Sequence, residues 1–154
     1  MRKILLILST TRKSSKSVDL AINLAKKEGA EIIVLFVIDK EIPANVISKL
    51  SEEGWIGSNP SDRLYNAIER EYAMHGKINV ERIEVPLREA GIRYHSLIIK
   101  GDFVAEVLNV MEEEEVDLAI ITRRKRSGLS RFIFGSAVLE IIKKSKCKVR
   151  IVDE

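Results

Sequence analysis

Apolar and polar positions alternate along this chain in two distinct rhythms. Lys3-Ile4-Leu5-Leu6-Ile7-Leu8 is a short, nearly unbroken apolar run, the form of a parallel strand buried on both faces. After the turn-rich Ser9-Thr10-Thr11, with Ser14 or Ser15 as an N-cap, Val18, Ala21, Ile22, Leu24 and Ala25 recur at helical spacing; Lys26, Lys27 and Gly29 then supply the signals of a helix end. Ile32 to Ile38 repeats the buried-strand pattern, so the first third reads strand, helix, strand, which requires a right-handed parallel crossover. The last third reads the same way: strand Tyr94 to Ile99, helix Val104 to Met111 running into Glu112 to Glu115, strand Leu118 to Ile121, helix Ala137 to Ile142, strand Val149 to Val152. The pattern predicts an α/β fold with five parallel strands and intervening helices in one unit spanning residues 1–154.

Between the halves lies a helical insert, residues 39–91, with Pro43, a Gly54-Trp55-Ile56-Gly57-Ser58-Asn59-Pro60 loop and a helix beginning near Ser61. Leu64, Ile68 and Tyr72 share one helical face, while Ile83, Leu87 and Ala90 share another. Pro86 is expected to kink or interrupt the second segment, because it has no amide proton and its ring clashes with the preceding turn. Trp55 is read as an anchor that packs the loop, and Glu112 to Glu115 as a solvated helix end.

Composition narrows the function classes. A chain that is 45% hydrophobic and 32% charged is globular, its longest apolar runs are too short to cross a bilayer, and its one cysteine, Cys147, forms no internal disulfide. With no secretory leader pattern, a cytoplasmic location without membrane attachment is expected. Abundant Glu, Lys, Arg and Ile with no Gln hints at a thermophilic source. The net charge of +3 is too even to make the whole surface a nucleic-acid binder.

Candidate chemistry is sparse. The two histidines, His75 and His95, stand apart, no metal-ligand spacing occurs, no nucleophile elbow precedes a helix, and the turn after the first strand contains no glycine. No metal site and no catalytic residue is therefore assigned, and the acidic residues give no pair that can be placed in a cleft. What remains is Thr122 to Ser136, in which Arg123, Arg124, Lys125, Arg126 and Arg131 follow the fourth strand. In an open parallel sheet, ligands bind beyond the carboxyl ends of the strands where the connections change direction. Gly135-Ser136 is expected to open the following helix, whose amides and dipole would favour a small anionic ligand.

The block Arg126 to Ser136, RSGLSRFIFGS, resembles the loop and helix start of the universal stress protein (UspA-like) family. Phe36-Val37-Ile38-Asp39, Gly101-Asp102 and Glu115-Val116-Asp117-Leu118 match at three further places, so the resemblance spans nearly the whole chain. It implies an open, doubly wound, Rossmann-like sheet of strand order 3-2-1-4-5 and a homodimer paired through the last strand, here Val149, Ile151 and Val152. ATP-binding members carry two glycines ahead of the Gly-Ser pair and an acidic residue after the first strand; here those positions hold Thr122, Lys125 and Ser9. Val37 matches the position whose backbone meets adenine.

The favoured reading is a non-enzymatic, homodimeric stress-response regulator whose nucleotide loop is degenerate, with no committed cofactor. A second reading is an adenine-nucleotide (ATP) binder in which Arg124, Lys125 and Arg126 replace lost backbone contacts. Nucleic-acid binding through residues 123–131 ranks below both, for want of aromatics among the cations.

Overall fold

A computed structural model describes residues 1–8, 15–57, 61–123 and 129–153. Strands β1 (Lys3–Leu8), β2 (Glu31–Asp39), β3 (Tyr94–Gly101), β4 (Leu118–Arg123) and β5 (Lys148–Asp153) form one parallel sheet of order β3-β2-β1-β4-β5. The helices are α1 (Ser15–Glu28), α2 (Glu41–Glu52), α3 (Asp62–Glu89), α4 (Phe103–Glu113) and α5 (Leu129–Lys144).

The unbroken apolar strands follow from burial on both faces. Ile4, Leu6 and Leu8 of β1, with Ile32, Val34 and Phe36 of β2, pack against α1 and α3. Leu5, Ile7, Ile33 and Leu35 point the other way, against α4 and α5. Gly29, at a φ of 67°, ends α1 as expected, with the Ala30 amide donating to the Ala25 carbonyl at 3.0 Å. At the start of the fourth strand the Asp117 carboxylate accepts from the amides of Arg2 (2.7 Å) and Lys3 (2.9 Å). These two main-chain bonds hold its carboxyl below the usual carboxylate range and tie the entry of β1 to that of β4.

Several expectations are corrected in the insert. α2 is a helix that the pattern did not single out: Pro43 and Ile47 are buried with Ile42 and Leu50 half-buried beside them, and Pro43 sits in the first turn, where its missing amide costs nothing. Ser61 does start α3, its hydroxyl accepting from the Leu64 amide at 3.3 Å. The helix then runs unbroken through Pro86 to Glu89. Pro86 lies in the last turn, where one ladder bond is lost, and the buried Ile83 and Leu87 hold the segment on the sheet. Trp55 is no anchor, being 75% exposed. The connection is fixed by its main chain instead: Gly54 takes a φ of 79°, its amide donates to Ser51, and the Trp55 amide donates to Leu50 at 2.9 Å. Glu114 is not merely solvated, since it meets Lys3 at 3.5 Å and His95 at 3.6 Å.

Two close approaches position the carboxyl end of the sheet. A Cβ placed on Gly76 of α3 would overlap the ring of Phe36, so the glycine lets the long helix lie directly on β2. The buried Ser17 hydroxyl of α1 hydrogen-bonds the buried Thr122 hydroxyl of β4, joining the two elements that flank the turn in strand order.

Gly76→Ala is expected to lower the unfolding free energy by up to about 2 kcal/mol, an overpacking cost of about 1–3 kcal/mol offset by alanine's roughly 1 kcal/mol helix advantage. Chemical denaturation measures this, and raised stability would refute the close contact. Thr122→Val, leaving the Ser17 hydroxyl without this partner, should cost about 1–3 kcal/mol. The double variant with Ser17→Ala should lose less than the sum of the single changes, and strict additivity in a denaturation cycle would dissolve the pair.

Candidate functional site

The strand order reverses at β1 and β4, which places the ligand crevice at their carboxyl ends. Ser9, Arg124, Lys125 and Arg126 fall outside the described residues. The other expected site residues are placed as follows. Val37 lies one residue beyond the last β1–β2 pair, Leu8 with Phe36, and pairs on its far side with Ile99. Its side chain is buried among α4 and α5 contacts, so its main chain is what it presents at the carboxyl edge.

Thr122 is a strand residue of β4, paired with Val152, and its hydroxyl hydrogen-bonds that of Ser17. Gly135 and Ser136 do not open α5, which begins at Leu129, just after Gly128. The residues from Leu129 to Phe134 contain no glycine or proline, so the helix starts ahead of the Gly-Ser pair. Mid-helix amides are committed to the carbonyl four residues earlier and cannot form the anion nest expected there.

A different constellation gathers at this edge. A cleft of about 240 Å³ is bounded by the end of β2, α2, α3, the start of α4 and the middle of α5. Ile42, Phe103, Val104 and Ala137 give it apolar wall, and Asn45 and Ser136 neutral polar groups. Asp39, Glu41, Asp102 and Glu140 bring four carboxyl groups to the lining, against the expectation that no acidic pair shares a cleft. The fold explains two of them. Asp39 ends β2 and accepts the Glu41 amide at 3.0 Å, while Asp102 caps α4 by accepting the Ala105 amide at 2.9 Å. Each is a helix-entry acid at a strand's carboxyl end, which is the signal that could have marked the site in the sequence.

Tyr72 closes the cleft from α3, its ring 5.3 Å from that of Phe36. Burial, then the neighbouring Asp39 charge, pushes its phenol up to about 12, so it stays a protonated donor at neutral pH. The Leu64, Ile68, Tyr72 face was read only as one side of a helix, because periodicity does not show which face lies over the sheet edge. The insert thus supplies two walls of the site.

A larger cavity, about 340 Å³, lies at the opposite edge beside Met111, Val116 and Cys147. It lies by the residues that lead into β4 and β5, whereas the smaller cleft lies at the carboxyl ends of β2 and β3, the side on which such sheets bind ligands, and is the better candidate. Cys147 packs beside the α4–α5 core and near the Ser145 hydroxyl. Among the described residues no cluster suits a metal ion and no helix is long and apolar enough to cross a membrane.

Comparison with known proteins agrees with this architecture. The chain is 27% identical over 150 residues to universal stress protein YxiE of Bacillus subtilis, covering 97% of each. It superposes on UspA of Lactobacillus plantarum with a TM-score of 0.74 at 16% identity, covering 98% of this chain and 97% of that one. A universal stress protein of Archaeoglobus fulgidus in complex with dAMP gives a TM-score of 0.63 at 14% identity, covering 99% and 98%. The profile of the Universal stress protein family matches residues 1–153, and the chain belongs to that family.

Proposed function

We propose that the protein is a non-enzymatic, homodimeric stress-response regulator that does not hold ATP in the manner of nucleotide-binding relatives. The observation that carries this reading is the cleft lining, four carboxylates with no cation among its described residues, which repels a polyphosphate. Thr122 fixed in β4, Lys125 in place of a glycine and Ser9 in place of an acid point the same way. No hydrolytic step is proposed. The dimer would form through β5, an edge strand whose Val149, Ile151 and Val152 are each half-buried in the single chain.

The Archaeoglobus fulgidus complex with dAMP keeps a second reading open: an adenine nucleotide with its base in the cleft and its phosphate on Arg124, Lys125 and Arg126. Calorimetric titration with Mg-ATP separates the two. The favoured reading predicts dissociation constants weaker than about 100 µM, whereas sub-micromolar binding would support the second. Sedimentation should give a dimer, and a monomer at micromolar concentration would remove the β5 contact.

A further inference from the structure

Trp55, the chain's one tryptophan, is exposed on a loop whose backbone is already ordered. Its amide donates to Leu50, the Gly54 amide donates to Ser51 at 3.1 Å, and the Ser51 hydroxyl donates to the Gly57 carbonyl at 3.0 Å. An indole held this way loses little freedom when a partner covers it, and a tryptophan seated in a pocket is a common centre of interface energy. The loop stands past the carboxyl ends of the strands. α3 crosses Phe36 at Gly76 and begins at Asp62, about 21 Å earlier along its axis, whereas β2 runs only about 10 Å beyond Phe36. The cavity of about 340 Å³ lies at the other end of the sheet, by the residues that lead into β4 and β5. Trp55 cannot reach the cavity of its own chain, but it can reach that of a second copy.

The two surfaces match in size, polarity and charge. Leu108, Met111, Val116 and Cys147 give the cavity an apolar wall, and its volume falls in the roughly 300–1,000 Å³ range of pockets that enclose a ring compound. Lys144 and Lys146 stand exposed on its α5 side, with Glu112 and Glu115 exposed on its α4 side. Around Trp55 the pattern is reversed: exposed Glu52 and Glu53 precede it, and exposed Lys49 lies one turn earlier on α2. Glu115 adds an independent sign of use. After α1, α3 and α4 the chain makes the same turn, with Gly29, Gly91 and Glu115 at positive φ and the next amide donating five residues back. Among the described residues Glu115, at a φ of 53°, is the one non-glycine in that region, so a carboxylate is kept at the cavity rim where glycine would relieve the backbone.

We propose that Trp55 of one copy seats in the amino-end cavity of another, with Glu52 and Glu53 against Lys144 and Lys146, and Lys49 against Glu112 and Glu115. Because the two surfaces differ, the contact is head-to-tail and repeats from copy to copy, separate from the pairing proposed through β5.

Light-scattering mass and Trp55 fluorescence of the full chain, followed from micromolar to millimolar concentration at low salt, test it. Mass should climb without a plateau while the emission shifts to the blue, and both changes should retreat as salt is added. Trp55→Ala should weaken the association at least about thirtyfold, the scale of a central interface aromatic. The Glu52→Lys, Glu53→Lys variant and the Lys144→Glu, Lys146→Glu variant should each lose this association alone and regain it when mixed, a rescue that no folding defect produces. A mass that levels off at monomer or dimer with unshifted emission, association untouched by Trp55→Ala, or mixed variants that behave as each does alone would overturn the proposal.

Discussion

Two-sided burial of β1 is the constraint on which the rest of the molecule depends. Ile4, Leu6 and Leu8 fill one core while Leu5 and Ile7 fill the other, and parallel neighbours β2 and β4 flank the strand. A strand buried this way needs helices above and below it. Right-handed crossovers supply them: α1 and α3, between β1, β2 and β3, cover one face, and α4 and α5, leading to β4 and β5, cover the other. The change of direction this forces opens a crevice at the carboxyl ends of the strands, so the position of the candidate site is a consequence of core packing.

What fills that crevice depends on elements added to the basic layout. Gly76 lets α3 rest on Phe36, and that close seating brings Tyr72 over the end of β2 beside Asp39. α2 enters from the same strand end and adds Glu41, Ile42 and Asn45. On the far wall α5, having begun before its Gly-Ser pair, presents Ser136, Ala137 and Glu140 from its middle turns. An early start of one helix thus replaces an anion-favouring terminus with side chains, one of which is acidic.

The strands were legible in the sequence because burial on both faces leaves an unbroken apolar signature, and α1 because Val18, Ala21 and Ala25 face a core while Gly29 caps the end. Family resemblance added the strand order, which periodicity alone does not determine. The misread features share a physical reason: each depends on contacts distant in sequence. Trp55 was read as a loop anchor because large aromatics commonly bury area, yet it is exposed and main-chain bonds hold its loop without it. Pro86 was read as a break, but Ile83 and Leu87 pack on both sides of it. Thr122 aligned with a loop glycine, and its pairing to Val152 and its bond to Ser17 are likewise visible only in the fold. The four cleft carboxylates, spread from Asp39 to Glu140 in sequence, come together only in the fold.

The central claim is that this carboxyl edge has lost the capacity to retain a nucleoside triphosphate. Native mass spectrometry of the freshly purified protein tests it most directly, because a triphosphate held tightly enough to survive purification adds its mass to that of the chain. The account predicts a dimer at the mass of two polypeptides, free of any triphosphate. A dimer that retains one ATP per chain would contradict it.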